Sequence, residues 1–187
     1  MQREYKQHRR PRRPCFPSGY IASVTARLER LGEYGEATLF ASHLDVAGTT
    51  LPVHSIDSPH FLCLLGGDFT KTAASELVQL VTGLIEAGAC YFICWGDGCE
   101  AVHDLIDDIL IGDDRFASEE TIIMTTWHSD ETIEDALFFL LCAASPAEHY
   151  LDQPLAKLAL VVDQPGTFET VHSALMEPAE FVAKMTA

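Results

Sequence analysis

Residues 60–99 read HFLCLLGGDFTKTAASELVQLVTGLIEAGACYFICWGDGC, and this stretch decides the fold class. Phe61–Leu65 is a short, nearly unbroken apolar run, the pattern of a strand covered on both faces in a parallel sheet. Leu77, Leu80, Val81, Leu84 and Ile85 then recur at helical spacing, and Gly88 supplies a residue suited to ending that helix. Tyr91–Trp95 repeats the buried-strand pattern. Together the three segments have the order and length of a βαβ unit.

The same alternation continues along the chain. Thr121–Thr126 and Leu158–Val162 are further apolar runs. Val102, Leu105, Ile106 and Ile109 form a second helical stripe, and Ile133, Ala136, Leu137, Leu140, Leu141 and Ala144 a third, closed by Pro146. Phe168, Val171, Leu175 and Phe181 predict a terminal helix. With right-handed crossovers, the expectation is a three-layer, Rossmann-like or flavodoxin-like α/β domain. Its mainly parallel sheet would hold four core strands plus candidate edge strands.

Toward the amino end, Ile21, Val24, Leu28 and Leu31 predict an amphipathic helix over 20–31. Ala37–His43 and Leu51–Ile56 are candidate edge strands on either side of an Ala47-Gly48-Thr49 turn. Pro11, Pro14, Pro17 and Gly19 mark the end of a tail. The expected organisation is a basic tail over 1–19 and a single α/β domain over 20–187. Within it, 20–58 carry the helix and edge strands and 59–187 the βα core.

Composition narrows the class. At 187 residues, 48% apolar and 21% charged, the chain can bury a core and is not a disordered type. Its longest apolar run, Ala136 to Ala144, is far too short for a membrane span. Charge is segregated. Residues 1–14 set Arg3, Lys6, Arg9, Arg10, Arg12 and Arg13 against Glu4, and the rest sets 6 basic against 27 acidic residues, a formal −21. Such a body repels nucleic acid and anionic membranes and attracts basic proteins. Of the six cysteines, Cys63, Cys90, Cys94 and Cys142 lie in or beside apolar runs and Cys15 in the tail. Reduced thiols and a cytoplasmic setting are expected.

Open parallel sheets bind ligands beyond the carboxyl ends of their strands. Those ends are Gly66-Gly67-Asp68, Gly96-Asp97-Gly98-Cys99, Trp127-His128-Ser129-Asp130 and Asp163-Gln164-Pro165-Gly166. Asp97 and Glu100 have capping-box spacing, which makes Asp97 the expected N-cap and puts Cys99 in the first helical turn. The helix dipole there favours a thiolate, while Asp97, Glu100 and Asp104 oppose it. His103 falls on the same helical side, and His128 is placed to serve as a general base. Cys99 and His128 are therefore the candidate catalytic pair, with Asp68, Lys71, Asp97, His103, Asp130 and Asp163 as candidate ligand-binding residues.

Each of these has a plainer reading: a capped helix with a small cysteine, an exposed histidine, and aspartates that tighten loops. Asp68, Asp97, Asp130 and Asp163 could instead gather Mg²⁺. The Cys90, Cys94, Cys99 and His103 spacing is not that of a zinc site, and Gly66–Thr72 lacks a P-loop pattern. No cofactor is specified. Two functions follow as expectations. The first is an acidic interaction or regulatory domain for a protein partner, with a basic one favoured by charge. The alternative is a small hydrolase or transferase using Cys99 and His128 or carboxylate-bound Mg²⁺.

Overall fold

In the computed structural model, the structure describes residues 26–44, 53–112, 116 and 121–187. A sheet of six strands is covered by helices on both faces. The strands are β1 (Glu29–Tyr34), β2 (Ala37–Leu44), β3 (His60–Gly67), β4 (Ala89–Trp95), β5 (Met124–His128) and β6 (Leu155–Val162), in the order β1-β2-β6-β3-β4-β5. β1 is antiparallel to β2, and the remaining neighbours pair in parallel. This is the mainly parallel, three-layer α/β architecture that the apolar runs imply.

Helices α1 (Ala74–Glu86) and α2 (Cys99–Ile111) follow β3 and β4 and cover one face. Their Leu77, Leu80, Val81, Val102 and Ile106 pack with Phe61, Phe92, Leu158 and Leu160. α3 (Ile133–Phe138) continues into a π-helical turn (Phe139–Ala143) on the opposite face. There Leu137, Leu140, Val171 and Leu175 pack on Leu62, Leu64, Ile93 and Val161. A single turn, α4 (Glu148–Leu151), leads into β6, and α5 (Pro165–Met176) and α6 (Pro178–Met185) end the chain. The connection from β5 to β6 reverses direction across the sheet and therefore crosses its other face, as right-handed crossovers require. That reversal seats β6 between β2 and β3.

Several local expectations change. The 3-residue step from Leu28 to Leu31 leads into a strand, not along a helix. Side chains three apart in extended chain point to opposite faces, so Leu28 joins the core on one face and Leu31 that on the other; β1 also carries an irregularity between Arg30 and Gly32. Gly35, at φ 60°, closes the turn into β2. Residues 20–25 and the 47–49 turn lie outside the described residues. β2 is one strand in from the edge. Within Leu51–Ile56, Val53–Ser55 form a 3₁₀ turn, with Ile56 N–H donating to Val53 O at 3.1 Å. β5 starts at Met124, three residues later than the apolar run, because Ile123 packs into the core before the pairing begins. The terminal stripe is two helices, broken where Pro178 follows Glu177. Cys142 is exposed, not buried, because the π-helical turn shifts the stripe's last residues.

The start of α3 is set by Thr132 and Asp135. The Thr132 hydroxyl accepts from Asp135 N–H at 3.1 Å, and the Asp135 carboxylate accepts from Thr132 N–H at 3.2 Å. These bonds, the hydroxyl's own donation first, hold the Asp135 carboxyl below its usual range. Thr132→Ala is expected to cost about 1 kcal/mol in urea unfolding. The lowered pKa makes the carboxylate's share of this stabilisation full above about pH 4. The gap between wild type and variant should narrow as pH falls through the folded value, leaving the part carried by the Asp135 N–H bond to the Thr132 hydroxyl.

Candidate functional site

Parallel pairing aligns the strand ends. Leu44 pairs with Val162, Val162 with Gly67, Gly66 with Trp95, and Trp95 with His128. Asp68, Asp97, Cys99, His128, Asp130 and Asp163 consequently sit at or just beyond one rim of the sheet. They share that rim without forming one constellation.

Asp68 is occupied by its own loop. It accepts from Thr70 N–H at 3.1 Å and from the Thr70 hydroxyl, and Lys71 Nζ lies 3.4 Å away. These contacts, Thr70's first, keep its carboxyl below the usual range, while the Lys71 side chain extends into solvent. The Asp97 backbone carbonyl accepts from Phe69 N–H at 2.8 Å, tying the β3 and β4 loops together. Asp97 is not the N-cap. Gly98, at φ 79°, takes that position and makes no side-chain cap. The left-handed conformation that the loop needs at 98 moves the cap one residue past the aspartate. Asp163 also takes a left-handed conformation, φ 53°, and its N–H donates to Leu44 O at 2.8 Å. Asp130 is exposed on the β5–α3 loop.

Cys99 begins α2 as expected but is only 1% exposed, packed with Cys94, Val102 and Phe69. Burial pushes its thiol up, outweighing the hydrogen bonds from the His128 and Glu100 backbones. The pairing of Cys99 with His128 does not form. Alternation along β5 turns the His128 ring to the opposite face, 4.9 Å from Phe139. Its Nδ1 lies 2.7 Å from Glu131 Oε2 and its Nε2 3.2 Å from the Thr126 hydroxyl. Thr126 in turn neighbours Tyr91, and the Trp95 indole donates to Glu131 O at 2.9 Å. His103 also turns from Cys99. It contacts the Thr125 hydroxyl at 3.1 Å and Asp104 at 3.2 Å, edge-on to Trp127.

The metal alternative finds no donor set either. Among the described residues no group of three or more His, Cys, Asp or Glu is placed to hold an ion. Cys90 donates to Phe61 O at 3.4 Å and Cys94 is fully buried, because both lie within the strand they bracket. Alkylation should follow this burial. Among the described cysteines, iodoacetamide is expected to label Cys142 in the native protein, with Cys63, Cys90, Cys94 and Cys99 reacting only after unfolding. Mass spectrometry of the native and denatured digests reads the difference.

A further opening lies elsewhere. A groove of 500 Å³ runs between α3, α5 and α6. Glu134, Glu169, Glu177 and Glu180 line it against a single Lys184, and Ala174, Phe181 and Met185 give it an apolar side. α5 and α6 form its two long walls because Pro178 restarts the helix at a new angle. Sequence reading missed this surface. Its signal was the Glu169-Ser173-Glu177 spacing on α5 with Glu180 and Phe181 beyond, a charged face that taken alone is ordinary helix surface.

A family model described as a domain of unknown function, DUF7684, matches residues 41–174. That stretch opens inside β2, contains all of β3 to β6, and ends in α5. Glu134 and Glu169 of the groove fall within it, and Glu177 and Glu180 beyond it. No curated protein and no solved structure matches the chain.

Proposed function

The chain belongs to the DUF7684 family, of unknown function, and from that premise we propose that it is an interaction domain. It binds a basic, amphipathic segment of a protein partner in the groove between α3, α5 and α6. The groove's lining carries this reading: four glutamates against one lysine, beside an apolar strip. A ligand with Lys or Arg on one face and Leu or Met on another satisfies both parts. Complementary charge steers the encounter, and the apolar contact supplies the directionless part of the affinity.

Two further observations support it. The body carries a formal −21 outside its basic tail, a field that raises encounter rates with cations and repels polyanions. The rim that would serve an enzyme holds a thiol raised by burial and a histidine bonded on both nitrogens within the protein. The described cysteines are free, in keeping with a cytoplasmic setting. No described helix is long and apolar enough to cross a membrane.

Hydrogen–deuterium exchange with a lysine- and leucine-rich amphipathic peptide tests the location. Protection is expected across α5 and α6 and at the start of α3. Protection confined to the β3–α1 and β4–α2 loops, or none, contradicts the proposal.

A further inference from the structure

At the opposite end of the sheet, β6 places one charged residue in an otherwise apolar strand. Ala156, Leu158, Leu160 and Val162 face one core cluster, while Leu155, Ala159 and Val161 face the other. Lys157 shares that second face. Its Nζ donates to Leu141 O at 2.7 Å, where the π-helical turn approaches its end. An ammonium there caps a carbonyl that the ending helix leaves open. That bond alone would explain a lysine.

The surroundings hold more than a cap. Lys157 lines a cavity of 310 Å³ with Tyr34, Leu62, Ala144, Pro146 and Leu151. The volume suits a small organic molecule, and the walls are mostly apolar. Glu36 of the β1–β2 turn opens onto the same cavity. Cys142, exposed on the π-helical turn, lies near enough to influence both the Tyr34 hydroxyl and the amine. A lysine and a phenol thus line one pocket, with a thiol close by, at the end of the sheet opposite the carboxyl rim. Burial holds the Lys157 ammonium below the ordinary lysine value, with the neighbouring Cys142 pulling the other way. Desolvation of this kind raises the neutral, nucleophilic fraction of an amine.

We propose that this cavity binds a small, largely apolar aldehyde or ketone and that Lys157 condenses with its carbonyl group. The amine nitrogen attacks the carbonyl carbon, and a proton moves from nitrogen to oxygen to give a carbinolamine. Loss of water then leaves the imine. No electrons are exchanged with an outside reagent. Tyr34, which lines the same pocket, supplies a hydroxyl close to the migrating proton. This site stands independently of the interaction reading.

Benzaldehyde is the probe, with sodium cyanoborohydride to reduce and trap any imine on the full chain near neutral pH. Peptide mass spectrometry compares Lys157 with Lys71, whose side chain is 88% exposed. Labelling of Lys157 is expected to run at least tenfold faster than that of Lys71. Ala144→Leu, which narrows the cavity without touching the amine, is expected to slow Lys157 and leave Lys71 unchanged. Lys157→Arg keeps a donor for Leu141 O and should retain the fold while losing the fast-labelled site. A lysine that serves only as a cap is buried and bonded, so it reacts more slowly than Lys71. That result, or equal rates, overturns the proposal.

Discussion

Gly96→Ala is expected to destabilise the protein by about 3 kcal/mol or more, lowering Tm by roughly 6–12 °C for a chain of this size. Gly96 has φ 100°, and a Cβ there would lie 2.2 Å from Gly67 O. Two penalties add. The conformation is one that L side chains rarely adopt, and the obstructing atom is backbone, which cannot rotate aside. Gly67 has no slack of its own, since a Cβ at that position would stand 2.6 Å from Val162 O. The strain would therefore pass from β4 through β3 into β6, and Cys99 N–H would lose its 3.1 Å bond to Gly96 O. Gly83→Ala is the informative contrast. Gly83 lies within α1 with nothing within 4 Å of the added carbon, so alanine there should stabilise by about 0.5–1 kcal/mol. Thermal unfolding of both variants separates conformational need from mere glycine content.

Reversing charge in the groove is expected to have the largest effect on binding. Glu169→Lys with Glu180→Lys should weaken the association with a basic amphipathic peptide by roughly 10- to 100-fold. Each reversed contact at a solvent-facing site is worth on the order of 1 kcal/mol, and 1.4 kcal/mol is a tenfold change. Both residues are exposed on helices, so the fold should tolerate the changes. Glu86→Lys with Asp108→Lys makes the same change in net charge on α1 and α2, across the sheet. Its effect should be only about two- to threefold, through the long-range field. Equal losses in the two double variants would mean that net charge attracts the peptide and the groove does not.

The fold was legible because its signals are redundant. FLCLL, YFICW and LALVV each lack the polar alternation of a half-exposed strand, and the stripes between them repeat at helical spacing. β1 was misread because Leu28 and Leu31, three residues apart, pack into the cores on opposite faces of the sheet, and that spacing reads as a helical turn. The rim was legible as a place, since parallel pairing fixes which ends of the strands coincide. Its chemistry was not legible. Whether Cys99 and His128 meet depends on the parity of side chains along β5 and on the depth of Cys99 in the core, and neither follows from proximity in the loops. The acidic groove depends on the angle between α5 and α6, which Pro178 permits but does not specify. Lys157 did leave a trace, as a charge directly before the Leu158–Val162 run, yet the partner it reaches lies 16 residues away at Leu141.

The most direct test is a titration by fluorescence anisotropy of the full chain with a labelled amphipathic peptide. One peptide carries lysines on its polar face, and a control of equal length carries glutamates. The expected result is saturable binding of the lysine peptide alone, weakened by added salt and by the Glu169/Glu180 reversal. Equal binding of both peptides, or binding of the lysine peptide that survives that reversal, would contradict an acidic groove made for a basic partner.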